Sequence, residues 1–106
     1  MSLRALACLG LAEIASGQRE TGLADLGAAV TGYERELGAA AAETQLFAFL
    51  LLEYDVSFGH VPDDIALRLH ALAADRLTQA APWEDWQPRL ALLESKIDRM
   101  RAQAQR

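Results

Sequence analysis

Four breaks constrain this chain more than any other feature. Gly17, Gly38, the stretch 59–62 and the stretch 82–88 cut it into five pieces of helical length. Glycine ends helices by taking backbone conformations that other residues avoid, and proline cannot continue one. No piece between the breaks shows the alternation of a β-strand. Val56–Val61 holds β-branched and aromatic residues, but Gly59 interrupts it and Pro62 follows it. The expected fold class is therefore all-α, built from antiparallel helical hairpins with short turns.

The apolar spacing gives each piece a role. In residues 3–16, Leu3, Leu6, Cys8, Leu9, Leu11 and Ile14 predict a helix with a broad buried face, closed by Gly17. In residues 20–37, Leu23, Leu26, Val30, Tyr33 and Leu37 recur at steps of three and four, and Gly38 is the stop. Residues 40–57 are apolar in nearly every direction around Leu46–Leu52, which predicts the central, most enclosed helix. Pro62, Asp63 and Asp64 predict the start of a fourth helix, carried by Ile65, Leu69, Leu72 and Leu77 to about Gln79. Ala80–Gln87 reads as a connector. Residues 89–103 carry a short heptad-like seam, Leu90, Leu93, Ile97, Met100 and Ala104. About two heptads suit a helix docked on its own domain better than a free coiled coil.

Gly22, Gly27 and Gly32 stand inside the second piece, where each costs roughly 1 kcal/mol against alanine. Close approach of a neighbouring helix is the expected compensation.

With 106 residues, 52% of them apolar, the chain suits a single domain over 1–106. Its net charge of −5 argues against nucleic acid or anionic membrane as a partner of the whole surface. The charge is uneven: residues 1–88 carry −8 and residues 89–106 carry +3. In the last piece Arg89, Lys96, Arg99, Arg101 and Arg106 are expected to form a solvated face. No aromatic residue interleaves with them, so a nucleic-acid platform is poorly supported.

Cys8 is the only cysteine, which excludes an internal disulfide and fits a reducing, cytoplasmic setting. Its place among apolar neighbours predicts burial. The run Leu46–Leu52 falls well short of the roughly 20 apolar residues of a membrane span. Gly10 and Glu13 interrupt the apolar start, so no signal peptide is expected. The wealth of Ala, Leu and Arg and the lack of Asn suggest a GC-rich bacterial genome.

The search for chemistry returns little. There is no nucleophile elbow, phosphate loop or paired-histidine metal motif. His60 with Asp63 and Asp64 reads as a solvated turn at a helix start, and His70 as a partly exposed helix residue. Glu34 with Glu36, Asp63 with Asp64, and Glu84 with Asp85 read as surface or dipole partners rather than a hydrolytic pair. No catalytic residue, metal site or cofactor is expected, and the chain is not expected to be an enzyme. Trp83 and Trp86, three apart, are expected to cover the end of the bundle, with an anchor for a partner as the rival role.

A further pattern runs through Leu3–Glu36. Leu9 and Gly10 are followed by a small residue, Gly17, seven positions on. Gly22, Leu26 and Ala29 then give a small, large, small series in the second helix. This 34-residue pattern resembles a tetratricopeptide repeat. Glu13 departs from it where the family has a large aromatic, and Glu34 where it has proline. Residues 40–79 fit a second repeat loosely, through Gly59, Ala66 and Ala73.

The resemblance implies a right-handed stack of two hairpins, 3–37 and 40–79, capped by a C-terminal helix over 88–104. It also implies a concave groove lined by Arg4, Ala7 and Leu11 from the first hairpin and Phe49 and Glu53 from the second. The partner would be another protein or peptide, with Trp83 and Trp86 as further contact candidates. The run Tyr33–Gly38 is similar to repeats attached to large bacterial transcriptional regulators. The alternative is a structural domain that forms a homodimer through the last helix.

Overall fold

The computed structural model describes residues 1–60 and 72–104. Pro62, Asp63, Asp64, Ile65, Ala66, Leu69, His70 and Arg106, singled out above, lie outside the described residues. Among those described, the secondary structure is entirely helical. The elements are α1 (Leu3–Ala15), α2 (Arg19–Leu37), α3 (Ala42–Ser57), α4 (Ala74–Ala80) and α5 (Trp86–Ala104). Each helix packs on the next along the chain, and α5 also returns to α3.

The first three helices are followed by glycines at positive φ, where other residues are strained: Gly17 at φ 91°, Gly38 at 87° and Gly59 at 84°. At Gly17 and Gly59 the following residue's N–H reaches back five positions. Gln18 donates to the Glu13 carbonyl at 2.8 Å and His60 to that of Asp55 at 2.7 Å. These bonds satisfy carbonyls that a helix end otherwise leaves open. Ser2 caps the start of α1 by accepting from the Ala5 N–H at 3.1 Å.

Two glycines, one on each helix, set the α1–α2 hairpin. A Cβ built on Gly10 would lie 2.7 Å from the Leu26 nitrogen, and one on Gly22 would lie 2.6 Å from the Gly10 carbonyl oxygen. Both obstacles are backbone, which cannot step aside. The two helices therefore nearly touch here, with Ala7, Leu26, Ala29 and Val30 fully enclosed around the crossing. The other two glycines of α2 differ. A Cβ on Gly32 would meet only the flexible end of Leu3, and one on Gly27 would reach no closer than 4.0 Å to a Leu51 methyl. The expected close packing thus holds at Gly22, takes a softer form at Gly32 and is absent at Gly27.

Helix α3 is the centre, for the reason its sequence suggests. Phe47, Ala48 and Leu51 belong to a core shared with α1 and α2. Phe49, Leu52 and Val56 belong to a second core shared with Leu77 of α4 and with Trp86, Leu93 and Ile97 of α5. Leu50 packs against both. A helix that separates two cores must be apolar on two faces. Tyr33 stacks on Phe47 in the first core at 5.4 Å, and Phe49 meets Trp86 edge-on in the second at 5.1 Å.

Several expectations are corrected. Cys8 is exposed, because the enclosed stripe of α1 runs through Ala7, Gly10 and Ile14 and leaves Cys8 to one side. Leu9 and Leu37 are likewise exposed. The fourth helix does not run unbroken to Gln79. Ala73 is extended, at φ −138° and ψ 135°, and α4 starts only at Ala74. The buried Gln45 side chain accepts from the Ala73 N–H at 2.9 Å, so this amide is held by a side chain in place of a helical carbonyl. Helix α5 begins at Trp86, earlier than expected. Pro88 sits in its first turn, where a missing N–H removes no helical bond.

Candidate functional site

Three helices carry a stripe that is exposed or half-covered. On α1 it runs Arg4, Cys8 and Leu11; on α3 it runs Leu46, Leu50, Glu53, Tyr54 and Ser57; on α5 it runs Arg89, Leu92, Lys96, Arg99 and Gln103. The residues of each set recur at steps of three and four, with Glu53 and Tyr54 side by side on α3, so each set lies along one side of its helix. Leu92 is 52% exposed, while Leu11, Leu50 and Tyr54 are half-covered at the edge of the first core.

The α3 and α5 stripes belong to packed helices, and α1 and α3 both flank α2. Arg4 and Cys8 of α1 and Glu43 of α3 all act on the Tyr33 hydroxyl. Burial, followed by the Glu43 charge, pushes this phenol above its ordinary pKa, and Arg4 opposes the shift. On the other side, Arg89 of α5 donates to Glu53 of α3 at 2.7 Å. Further along the same pair of helices, Val56, Ser57, Lys96, Arg99, Met100 and Gln103 line an open cleft of about 370 Å³.

Arg89 is not the solvated residue that its charge suggests. Its guanidinium lies 5.0 Å above the Phe49 ring and 4.8 Å above the Trp86 ring, with Glu84 at 3.7 Å completing its surroundings. It is held by two carboxylates and two aromatic faces, and it ties α5 to α3. Lys96, Arg99 and Arg101 remain exposed. Arg101 lies across the helix from Arg99, so the basic residues do not form one face.

The partner-contact candidates separate by position. Arg4, Leu11 and Glu53 lie on the uncovered stripes, with Glu53 engaged by Arg89. Ala7 and Phe49 are fully enclosed in the two cores and offer no surface to a partner. The tryptophans part company. Trp86 is 3% exposed and donates its indole N–H to the Ala81 carbonyl at 3.0 Å, whereas Trp83 is 82% exposed. They share no face, because Trp86 opens a helix while Trp83 sits in the preceding turn.

Sequence reasoning passed over Leu50, Tyr54 and Leu92. The spacing 89, 92, 96, 99 and 103 was a usable signal for the α5 stripe. Nothing in the spacing of α3 says which of its apolar directions stays open.

A carboxyl pair lies on the first hairpin. Glu13 of α1 faces Asp25 of α2. Hydrogen bonding to Asp25, then loss of hydration and then the Asp25 charge raise the Glu13 pKa above the ordinary carboxylate range.

Among the described residues, no three His, Cys, Asp or Glu side chains gather as metal ligands, and no helix is long and apolar enough to cross a membrane. Set against protein-family models, curated proteins and solved structures, the chain matches none of them.

Proposed function

We propose that this chain is a protein-interaction scaffold, non-enzymatic, that docks a segment of another protein across the uncovered stripes of α1, α3 and α5. The observation that supports this most is the set of half-covered apolar side chains at the edge of the first core, Leu11, Leu50 and Tyr54, with the exposed Leu92 among charged residues on α5. Apolar anchors with a polar surround are the usual make-up of a peptide-binding face. The likeness of residues 3–36 to a tetratricopeptide repeat points the same way. In that family the first helix of each hairpin lines the groove, and by this likeness α1 and α3 would hold those places here. The same likeness suggests a cytoplasmic role within a larger bacterial regulator.

The alternative, a homodimer through the last helix, has less to work with. Leu93 and Ile97 of the seam are buried against α3 and α4, and Leu90 and Met100 pack beside them. What α5 has left for a second copy is Leu92 and charge.

Site-specific photocrosslinking tests the proposal. A benzophenone amino acid placed at Leu50 or Leu11 should yield the same discrete adduct with one other polypeptide in cells. The same probe at Thr31 or Glu36, exposed on α2, should not. Equal adducts from both sets, or none from either, overturn the reading. An adduct of twice the chain's mass selects the homodimer in its place.

A further inference from the structure

The cleft between the ends of α3 and α5 differs in charge from the rest of the molecule. Its floor is apolar, formed by Val56 and the half-buried Met100. Its α5 wall carries two cations, Lys96 and Arg99, one turn apart. Neither has a salt-bridge partner among the described residues, whereas Arg89 on the same stripe is satisfied twice over. The chain up to residue 88 carries −8, whereas residues 89–106 carry +3, and the lining of this cleft holds no acidic side chain. From Leu92 to Gln103 the stripe extends ~16 Å, the length of about three helical turns.

Resting on the docking reading above, we propose that this cleft takes an acidic amphipathic helix of another protein, with an apolar side chain over Met100 and its carboxylates against Lys96 and Arg99. The two parts of the cleft ask for the two parts of such a segment. An apolar floor gains nothing from a phosphate backbone, and no aromatic residue of α5 offers a stacking platform beyond the buried Trp86. The unpaired cations gain nothing from a neutral apolar helix. A segment with Leu or Phe on one side and Glu or Asp beside them satisfies both, and electrostatic complementarity sets its orientation. The exposed Leu92 continues the apolar track one turn before Lys96.

The test uses the full chain and a fluorescein-labelled helical peptide of about three turns, with leucines at steps of three and four and glutamates between them. Two control peptides accompany it, one of the same composition scrambled and one with lysines in place of the glutamates. Fluorescence anisotropy should show saturable binding of the acidic amphipathic peptide only, weakened by added salt. Arg99→Glu and Lys96→Glu should each weaken it by about tenfold. Arg101→Glu changes net charge equally but lies across the helix, and should leave it within about twofold. All three side chains are exposed, so helicity by circular dichroism should be unchanged.

Equal binding of the scrambled peptide, or equal losses in Arg99→Glu and Arg101→Glu, overturns the proposal. So does concentration-dependent dimerisation abolished by Arg99→Glu, which would put a second copy in the cleft, or Arg99-dependent binding to phosphatidylserine vesicles. If the peptide fails while the Leu50 crosslink succeeds, the scaffold reading stands and this occupant does not. If both fail, the scaffold reading falls with it.

Discussion

The two halves of the molecule bring helices together by opposite means. In the α1–α2 hairpin, side chains are removed: Gly10 and Gly22 bring backbone against backbone, and a single added carbon would collide with main-chain atoms. Between α3 and α5, side chains are enlarged: Phe49, Trp86 and the stem of Arg89 fill the space, with the Arg89 charge satisfied by Glu53 at the rim. The first contact tolerates almost no added volume, while the second depends on its volume being present. The comparison teaches that the hairpin is set by exclusion and the C-terminal helix by filling, so the two should fail under opposite substitutions.

The largest break should come from Gly22→Leu. Overpacking against side chains that can shift commonly costs about 1–3 kcal/mol; here the clash is with the backbone of α1, which cannot yield, so the cost exceeds that range and loss of the whole hairpin is expected. Circular dichroism with chemical denaturation measures it. A fully helical variant with an unchanged midpoint would mean that the helices do not cross where Gly10 and Gly22 place them. Next is Trp86→Ala, which empties the second core and leaves the Ala81 carbonyl without its indole donor. A loss of about 3–5 kcal/mol is expected, read as a lower urea midpoint, with α1–α2 amides keeping more of their hydrogen-exchange protection than those of α5.

Gly27→Ala sharpens the comparison in the other direction. Its Cβ would make only ordinary van der Waals contact with Leu51, so the variant should gain up to about 1 kcal/mol from helix propensity. Gly22→Ala in the same helix should lose stability. A gain for both would remove the distinction between the two glycines.

The smallest effect is a pH dependence in the first hairpin. The folded state holds the Glu13 proton more tightly than the unfolded chain does, because Asp25 faces it. The resulting stabilisation is complete below the ordinary glutamate range. It is lost as pH rises through the raised folded value. Glu13→Gln should therefore flatten the fall in melting temperature as pH rises above the ordinary glutamate range and leave the variant the more stable once that rise is complete. A steeper fall in the variant would reverse the sign assigned to the pair.

What could be read in the chain itself were the features that act locally. Gly17, Gly38 and Gly59 stop helices through their own backbone freedom, and apolar residues on every side of α3 foretell a helix with a core on each flank. The small residues of α1 and α2 announce a close crossing, because a glycine inside a helix needs a reason to be there. Tertiary partners decided the rest. Cys8 and Ala7 are neighbours in sequence, and only the placement of α2 makes one exposed and the other enclosed. Arg89 reads as a surface charge until Phe49, Glu53 and Trp86 surround it. Ala73 reads as helical until Gln45, 28 positions earlier, takes its amide. Helix ends depend on a few adjacent dihedrals, whereas burial depends on which distant surface arrives, and that is settled only when the helices pack.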